Sequence, residues 1–184
     1  MERGKILLSS QGLDRSKNLQ EEIKKDTNLS DKSIMLFCEP FTSVLRSLIP
    51  ACERLGFAHI YTPDEKDANE LLKKVNYIYV TEGNTFAILS NLRNPERPFD
   101  KKIREAVLQG ACYIGASAGA AIAGKSVEHV LEFDLNYKRL TNFEGLGLVD
   151  GLIFPHMDEK TLKKYKKQYS EKLYCIKEEE IVVL

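Results

Sequence analysis

Short apolar runs alternate along the chain with segments whose apolar residues recur at helical spacing. The runs that predict strands are Ile6–Leu8, Ser33–Cys38, Phe57–Tyr61, Tyr77–Val80 and Ala111–Ile114. Helical segments are predicted at about 44–55, 68–75, 85–92 and 101–109. Apolar strands separated by helices favour a parallel sheet covered on both faces. The pattern therefore predicts one α/β domain over residues 1–184, a three-layer sandwich with a mostly parallel central sheet.

The last third of the chain is less regular, and two of its features bear on function. Leu152–His156 is a further apolar run, and a Lys-rich helix is predicted over about 159–171, before strand-like runs at 173–176 and 181–184. Functional groups of such folds gather at the carboxyl ends of parallel strands. Gly83, Ser117 and His156 each follow a predicted strand, so we expect them to meet at one edge of the sheet.

Composition excludes several classes of partner. Formal net charge is zero, which gives no support for a nucleic-acid or membrane-surface partner. The four cysteines form no C-x-x-C pair and no zinc-ligand pattern, so no metal or organic cofactor is predicted. No window approaches the ~20 apolar residues of a spanning helix. We expect a cytoplasmic protein.

The candidate chemistry begins at Gly115-Ala116-Ser117-Ala118-Gly119, between a predicted strand and a predicted helix. This is the context that the G-x-S-x-G nucleophile elbow requires, because its tight turn exposes the serine hydroxyl and leaves no room for side chains at the two glycines. The pattern alone is weak, since chance matches are common and a packed turn would also explain it. Its position at a strand end favours Ser117 as a nucleophile.

A serine nucleophile needs a base and a group that orients the base. His156 is the preferred base among three histidines, because it follows an apolar run; His129 is weaker, and His59 lies within a strand. The candidates for the orienting carboxylate between Ser117 and His156 are Glu128, Glu132, Asp134, Glu144 and Asp150. Spacing alone does not choose among them.

Three segments in this order resemble peptidase E (aspartyl dipeptidase) and the related cyanophycinases. They are Ile114–Ala120, Tyr79–Phe86, which is similar to a G-G-N-T-F segment, and Leu152–His156, which is similar to the segment ending in the catalytic Pro-His. The resemblance implies a class I glutamine amidotransferase-like fold and a serine peptidase of short peptides, including Asp-X dipeptides. It implies Ser117 as nucleophile, His156 as base, and Gly83 and Ala118 as oxyanion-hole donors. The family acid falls at Asp134, with Glu132 as its competitor.

Two features depart from the family pattern. Glu82 stands where the family has glycine, and a carboxylate there opposes oxyanion formation unless it points away or meets a cation. It could instead bind a substrate ammonium group. The chain also ends within a strand-like run, Ile181–Leu184, where family members usually continue with a hairpin. An unpaired apolar strand invites pairing with a second copy, so both a monomer and a homodimer are expected alternatives.

Three other functions remain open at this stage. An esterase or an isopeptidase would share the triad and differ in its pocket. A catalytically silent relative that binds a ligand or partner is suggested by Glu82 and by the short C-terminus. A glutamine amidotransferase is disfavoured, because Ser117 replaces its cysteine and Cys112 lies within a strand rather than at the elbow.

Overall fold

The computed structural model describes residues 2–39 and 44–184. Its central sheet consists of six strands: β1 (Ile6–Ser9), β2 (Ser33–Phe37), β3 (His59–Tyr61), β4 (Tyr77–Val80), β5 (Cys112–Ala116) and β8 (Ile181–Val183). Their order across the sheet is β3-β2-β4-β5-β1-β8. The first five are parallel, and β8 pairs antiparallel with β1 at one edge. The predicted mostly parallel α/β sheet is confirmed.

Helices cover both faces of this sheet. They are α1 (Lys17–Ile23), α2 (Val44–Leu55), α3 (Ala68–Leu72), α4 (Thr85–Leu92), α5 (Asp100–Leu108), α6 (Ala118–Ile122) and α7 (Glu159–Tyr165). Successive strand residues point to opposite faces. In β2, Ile34 and Leu36 therefore pack in a cluster with residues of α1 and α2, whereas Met35 and Phe37 pack with residues of α3 to α6.

A second sheet carries part of the site. It consists of β6 (Leu152–Pro155) and β7 (Leu173–Ile176), which run parallel with Pro155 opposite Ile176. α7 connects the two strands and buries Leu162 and Tyr165 against Phe154 of β6. The segments that follow β6 and β7 therefore leave this sheet side by side.

Most predicted elements are confirmed, some of them with shorter bounds. The third strand begins at His59 rather than Phe57, and the Lys-rich helix ends at Tyr165. The expectation of an unpaired terminal strand is wrong, because Leu7, Leu8 and Ser9 of β1 pair with β8. No helix among the described residues is long and apolar enough to cross a membrane.

Candidate active site

Ser117 occupies a strained turn between β5 and α6. Its backbone has φ 49° and ψ −108°, a conformation that non-glycine residues seldom adopt, and its N–H donates to Ser9 O at 2.8 Å. A Cβ on Gly115 would lie 2.6 Å from Gly119 O, and a Cβ on Gly119 would lie 2.0 Å from Val80 O. The need for both glycines, predicted from the motif, is thereby confirmed.

His156 meets Ser117 from the second sheet. Its Nε2 lies 2.9 Å from Ser117 Oγ, within the range for a base that accepts the hydroxyl proton. The backbone of His156 also has a positive φ, 58°, and its N–H donates to Ser10 Oγ at 2.8 Å. Ser10 Oγ in turn donates to Ile176 O at 2.7 Å. The buried Ser10 hydroxyl therefore fixes the ends of β6 and β7 beside the end of β1.

The carboxylate at the other imidazole nitrogen belongs to Glu178. Its Oε1 lies 2.6 Å from His156 Nδ1. Because β6 and β7 are parallel and end in register, residues just beyond Pro155 and Ile176 are neighbours. Sequence reasoning missed Glu178 because only carboxylates between Ser117 and His156 were considered. The signal was available in the strand-like run 173–176, which precedes Glu178 as Leu152–Pro155 precedes His156.

Asp134 does not contact His156, contrary to the sequence prediction. Its Oδ2 accepts a hydrogen bond from the Thr85 N–H at 2.8 Å, so the side chain is held at the first turn of α4. The competitor Glu132 is not at the imidazole either, since its Oε2 accepts from Tyr165 Oη at 3.1 Å. The structure thus brings Ser117 and His156 together and assigns the contact at Nδ1 to Glu178.

A cavity of about 180 Å³ opens beside the Ser117 hydroxyl. Gly83 and Ala118, the predicted oxyanion donors, line it together with Ser117 and His156. Gly83 has φ 141°, a backbone conformation that favours glycine. Ala118 is the first residue of α6, where the helix dipole favours negative charge. Gly83 and Ala118 therefore share a cavity with the Ser117 hydroxyl, as donors to an oxyanion must.

The family model of peptidase family S51 matches residues 6–184. The chain belongs to peptidase family S51. It is 33% identical to an uncharacterized peptidase of Listeria monocytogenes over 135 residues, 72% of this chain and 63% of that relative. A Drosophila melanogaster relative named "Probable alpha-aspartyl dipeptidase" is 29% identical over 165 residues, 84% of this chain and 66% of the relative. The chain thus spans a little under two thirds of these two relatives.

A solved structure has the same fold over nearly its whole length. A Listeria monocytogenes protein, provisionally described as peptidase E, superposes with a TM-score of 0.78 and 27% identity. The match covers 99% of this chain and 94% of that protein. A peptidase from an acI-B1 actinobacterium, 19% identical with a TM-score of 0.71, shows the fold alone; it covers 99% of this chain and 83% of its own. The S51 assignment therefore rests on sequence and architecture together.

Glu82, where the S51 family resemblance led us to expect glycine, is paired with a cation. Its Oε2 forms an ion pair with the Arg15 guanidinium. The carboxylate lies against the loop after β1, since a Cβ on Gly12 would be 2.7 Å from the same oxygen. Both conditions under which Glu82 is compatible with an oxyanion hole are met: it is directed to another loop, and its charge is compensated.

The other histidines and Cys112, also considered for catalysis, lie in environments different from that of His156. His129 Nε2 is 2.8 Å from Ile153 O, and burial lowers the pKa of its imidazole, which keeps the ring neutral at pH 7. His59 is exposed on β3, an edge strand. Burial raises the pKa of the Cys112 thiol to about 12, so it is not a thiolate at neutral pH. Among the described residues, no group of three or more metal-ligating side chains is gathered.

Proposed function

We propose that this S51 protein is a serine peptidase that hydrolyses short peptides through an acyl-enzyme on Ser117. The observation that carries the proposal is the continuous chain of contacts from Ser117 Oγ to His156 Nε2 and from His156 Nδ1 to Glu178. A nucleophile, a base and an orienting carboxylate in this arrangement define the logic of a catalytic triad. Glu178 replaces Asp134 as the third member.

The proposed reaction has two halves, acylation of Ser117 and hydrolysis of the acyl-enzyme. His156 Nε2 takes the Ser117 proton as Oγ bonds to the substrate carbonyl carbon, and the carbonyl electron pair moves onto oxygen. Gly83 and Ala118 N–H groups stabilise that oxyanion. The imidazolium, held by Glu178, gives its proton to the departing amine as the C–N bond breaks. Water then repeats the sequence on the ester, which releases the acid and restores Ser117.

Short peptides are the proposed substrates because of the family and the size of the cavity. The cavity beside the nucleophile has a volume of only about 180 Å³. Asp-X dipeptides are the first to be tested, since one relative is named "Probable alpha-aspartyl dipeptidase". An esterase or isopeptidase with the same triad is distinguished by a panel of matched esters, dipeptides and isopeptides. Arg15 compensates Glu82, which removes the first of the two observations behind the silent-binder alternative.

The test is labelling with a fluorophosphonate, which reacts with activated serines, followed by mass spectrometry to locate the adduct. We expect an adduct on Ser117 that is abolished in Ser117→Ala and His156→Ala, with circular dichroism showing both variants folded. Ser170→Ala, which removes an exposed serine, is the control and should label normally. A folded wild-type protein with no adduct on Ser117 would refute an activated nucleophile.

A further inference from the structure

A second cavity, of about 530 Å³, opens at the end of the central sheet opposite to Ser117. It is lined by the residue that directly precedes each of four parallel strands: Lys5 before β1, Lys32 before β2, Asn76 before β4 and Ala111 before β5. Ser117 directly follows the carboxyl end of β5, so the two cavities lie at opposite ends of the parallel strands. None of the proposed catalytic residues lines the second cavity.

Lysine dominates the charge of this cavity. Five lysines line it, together with the carboxylates of Glu22 and Asp26. The five are Lys5, Lys25, Lys32, Lys73 and Lys74. Five positive and two negative side chains give the lining a net charge of +3 at neutral pH, although the whole chain has a net charge of zero. The cavity is therefore a local concentration of positive charge.

Three of these lysines have no ion pair among the described residues. Lys25 pairs with Glu22, and Lys73 pairs with Glu70. The residues outside the described ranges carry no carboxylate side chain. Ammonium groups gathered without partners repel one another, so a bound anion would stabilise the arrangement. The lysines without such a pair are Lys5, Lys32 and Lys74.

Asp26 marks the point at which two of the unpaired lysines converge. Its Oδ2 accepts a hydrogen bond from Tyr77 Oη at 2.7 Å, which lowers the pKa of the carboxyl. The charges of Lys32 and Lys5 lower this pKa further, so both ammonium groups lie near the same carboxylate. One carboxylate does not balance two lysines, and Lys74 adds a third positive charge to the cavity.

The rest of the lining gives the cavity an apolar wall and a free amide donor. Leu7, Ile23 and Val75 are buried apolar residues of this wall. Asn76 Oδ1 accepts from the Ser33 N–H at 3.0 Å, so its Nδ2 is the group left to donate. The volume of about 530 Å³ lies within the range of small-molecule sites, about 300–1,000 Å³.

We propose that this cavity binds a small molecule that carries a diphosphate or triphosphate group. Lysine ammonium groups bind phosphate oxygens as point charges, and three unpaired lysines match a ligand with several negative charges. A monocarboxylate would leave most of that positive charge uncompensated. Because these lysines line one cavity rather than a stripe across the surface, a small ligand is favoured over a nucleic-acid strand. The site goes beyond the proposed function, since it takes no part in the chemistry of Ser117.

Binding is tested with two probes, inorganic tripolyphosphate and ATP, titrated into the full chain by isothermal titration calorimetry without divalent cations. We expect both to bind, and added sodium chloride to weaken binding because salt screens charge. Sulfate at the same ionic strength is the control and should bind about tenfold more weakly or worse, since it carries fewer charges. Tighter binding of ATP than of tripolyphosphate would identify an organic phosphate that also contacts the apolar wall. Equal binding would identify the polyphosphate chain alone as the ligand.

The decisive variant is Lys5→Gln/Lys32→Gln. It should weaken the binding of both probes about tenfold or more, because two charge-assisted contacts are lost. Lys74→Glu, at an exposed position, is a second variant and should weaken binding similarly. Lys101→Gln/Lys160→Gln removes two exposed lysines that do not line the cavity and should bind as the wild type does. Circular dichroism checks that each variant is folded.

The position of the ligand is read from lysine acetylation followed by mass spectrometry. Bound tripolyphosphate should slow the acetylation of Lys5, Lys32 and Lys74 and leave that of Lys101 unchanged. Failure of the folded protein to bind either probe, or wild-type affinity in Lys5→Gln/Lys32→Gln and Lys74→Glu, would overturn the proposal. Tighter binding of a single-stranded oligonucleotide than of ATP would overturn it in favour of a nucleic-acid surface. Each of these outcomes leaves the proposed hydrolysis at Ser117 untouched.

Discussion

Arg15 and Glu82 form an ion pair that connects the loop after β1 to the segment that precedes the predicted oxyanion donor Gly83. Tyr79, within β4, reinforces this connection because its Oη accepts a hydrogen bond from the Leu13 N–H at 2.9 Å. The pair places compensated charge, rather than a bare carboxylate, in the segment that precedes Gly83. Breaking this ion pair should therefore change the rate at which Ser117 is acylated.

Arg15→Gln should slow acylation of Ser117 about fivefold, because Glu82 then opposes the oxyanion with an interaction on the order of 1 kcal/mol. The double variant Arg15→Gln/Glu82→Gln should recover most of the lost rate, as measured by kcat on a cleaved dipeptide. Lys17→Gln, which removes an exposed cation two residues away, is the control. No recovery in the double variant would mean that Arg15 acts through something other than Glu82.

Glu178→Gln should lower the rate of fluorophosphonate labelling about 10²–10⁴-fold, because the amide no longer stabilises the imidazolium and favours the wrong tautomer. The neighbouring Glu179→Gln is the matched control, and its labelling rate should stay near that of the wild type. If Asp134→Asn slows labelling more than Glu178→Gln does, the assignment of the third triad member to Glu178 is incorrect.

Ser10→Ala should loosen the connection between the two sheets. It removes the acceptor of the His156 N–H and the donor to the Ile176 carbonyl, at a position that is 1% exposed. Buried unsatisfied groups cost about 1–3 kcal/mol, so urea unfolding should show a loss in this range. Labelling of Ser117 should also slow below the unfolding transition.

The comparison for Ser10 is Ser33→Ala, at the opposite end of the sheet, where the hydroxyl is 3.4 Å from Asn76 Oδ1. This variant should leave the labelling rate unchanged. Equal rates for Ser10→Ala and wild type, at a temperature where both are folded, would show that the Ser10 hydroxyl does not position His156.

His129 makes stability depend on pH with a definite sign. Burial lowers the pKa of its imidazole in the folded state below 6.5, so the unfolded chain binds the proton first as pH falls. The free energy of unfolding should decrease below pH 6.5, by up to about 1.4 kcal/mol per pH unit until the folded pKa is reached. Above pH 6.5 this contribution is constant.

The measurement is urea unfolding of wild type and His129→Gln at pH 7.5 and pH 5.5. The difference between the two pH values should be smaller in His129→Gln, because a titrating group has been removed, while His59→Gln, at an exposed position, should behave as wild type. Equal pH dependence in wild type and His129→Gln would contradict the linkage.

Sequence patterns predicted the fold well because its signals are local. Apolar runs predicted β2 and β4, and Asn84, which caps α4 by accepting from the Ala87 N–H, begins a helix that was predicted residue for residue. The proximity of Ser117 and His156 was also expected, since each follows a strand. The contact between Glu178 and His156 was missed because it depends on the parallel pairing of β6 and β7, a non-local contact.

The surroundings of Glu82 and of Asp134 needed the structure for a similar reason. Nothing near Glu82 in the sequence identifies Arg15 as its partner, because the two residues lie on loops after different strands. Asp134 was assigned by its offset from Ser117, yet its position is decided by the Thr85 N–H at the start of α4. Offsets along the chain do not specify which backbone donor a carboxylate reaches.

The closure of the main sheet by β8 has a consequence for the order in which activity arises during synthesis. Ser117 leaves the ribosome well before His156, and Glu178 lies in the turn just before the strand that pairs with β1. Non-local pairing of this kind forms late, because the intervening chain must first lose its entropy. A nascent chain therefore carries the elbow before His156 and Glu178 join it, so the proposed activity arises only after β1 and β8 have paired.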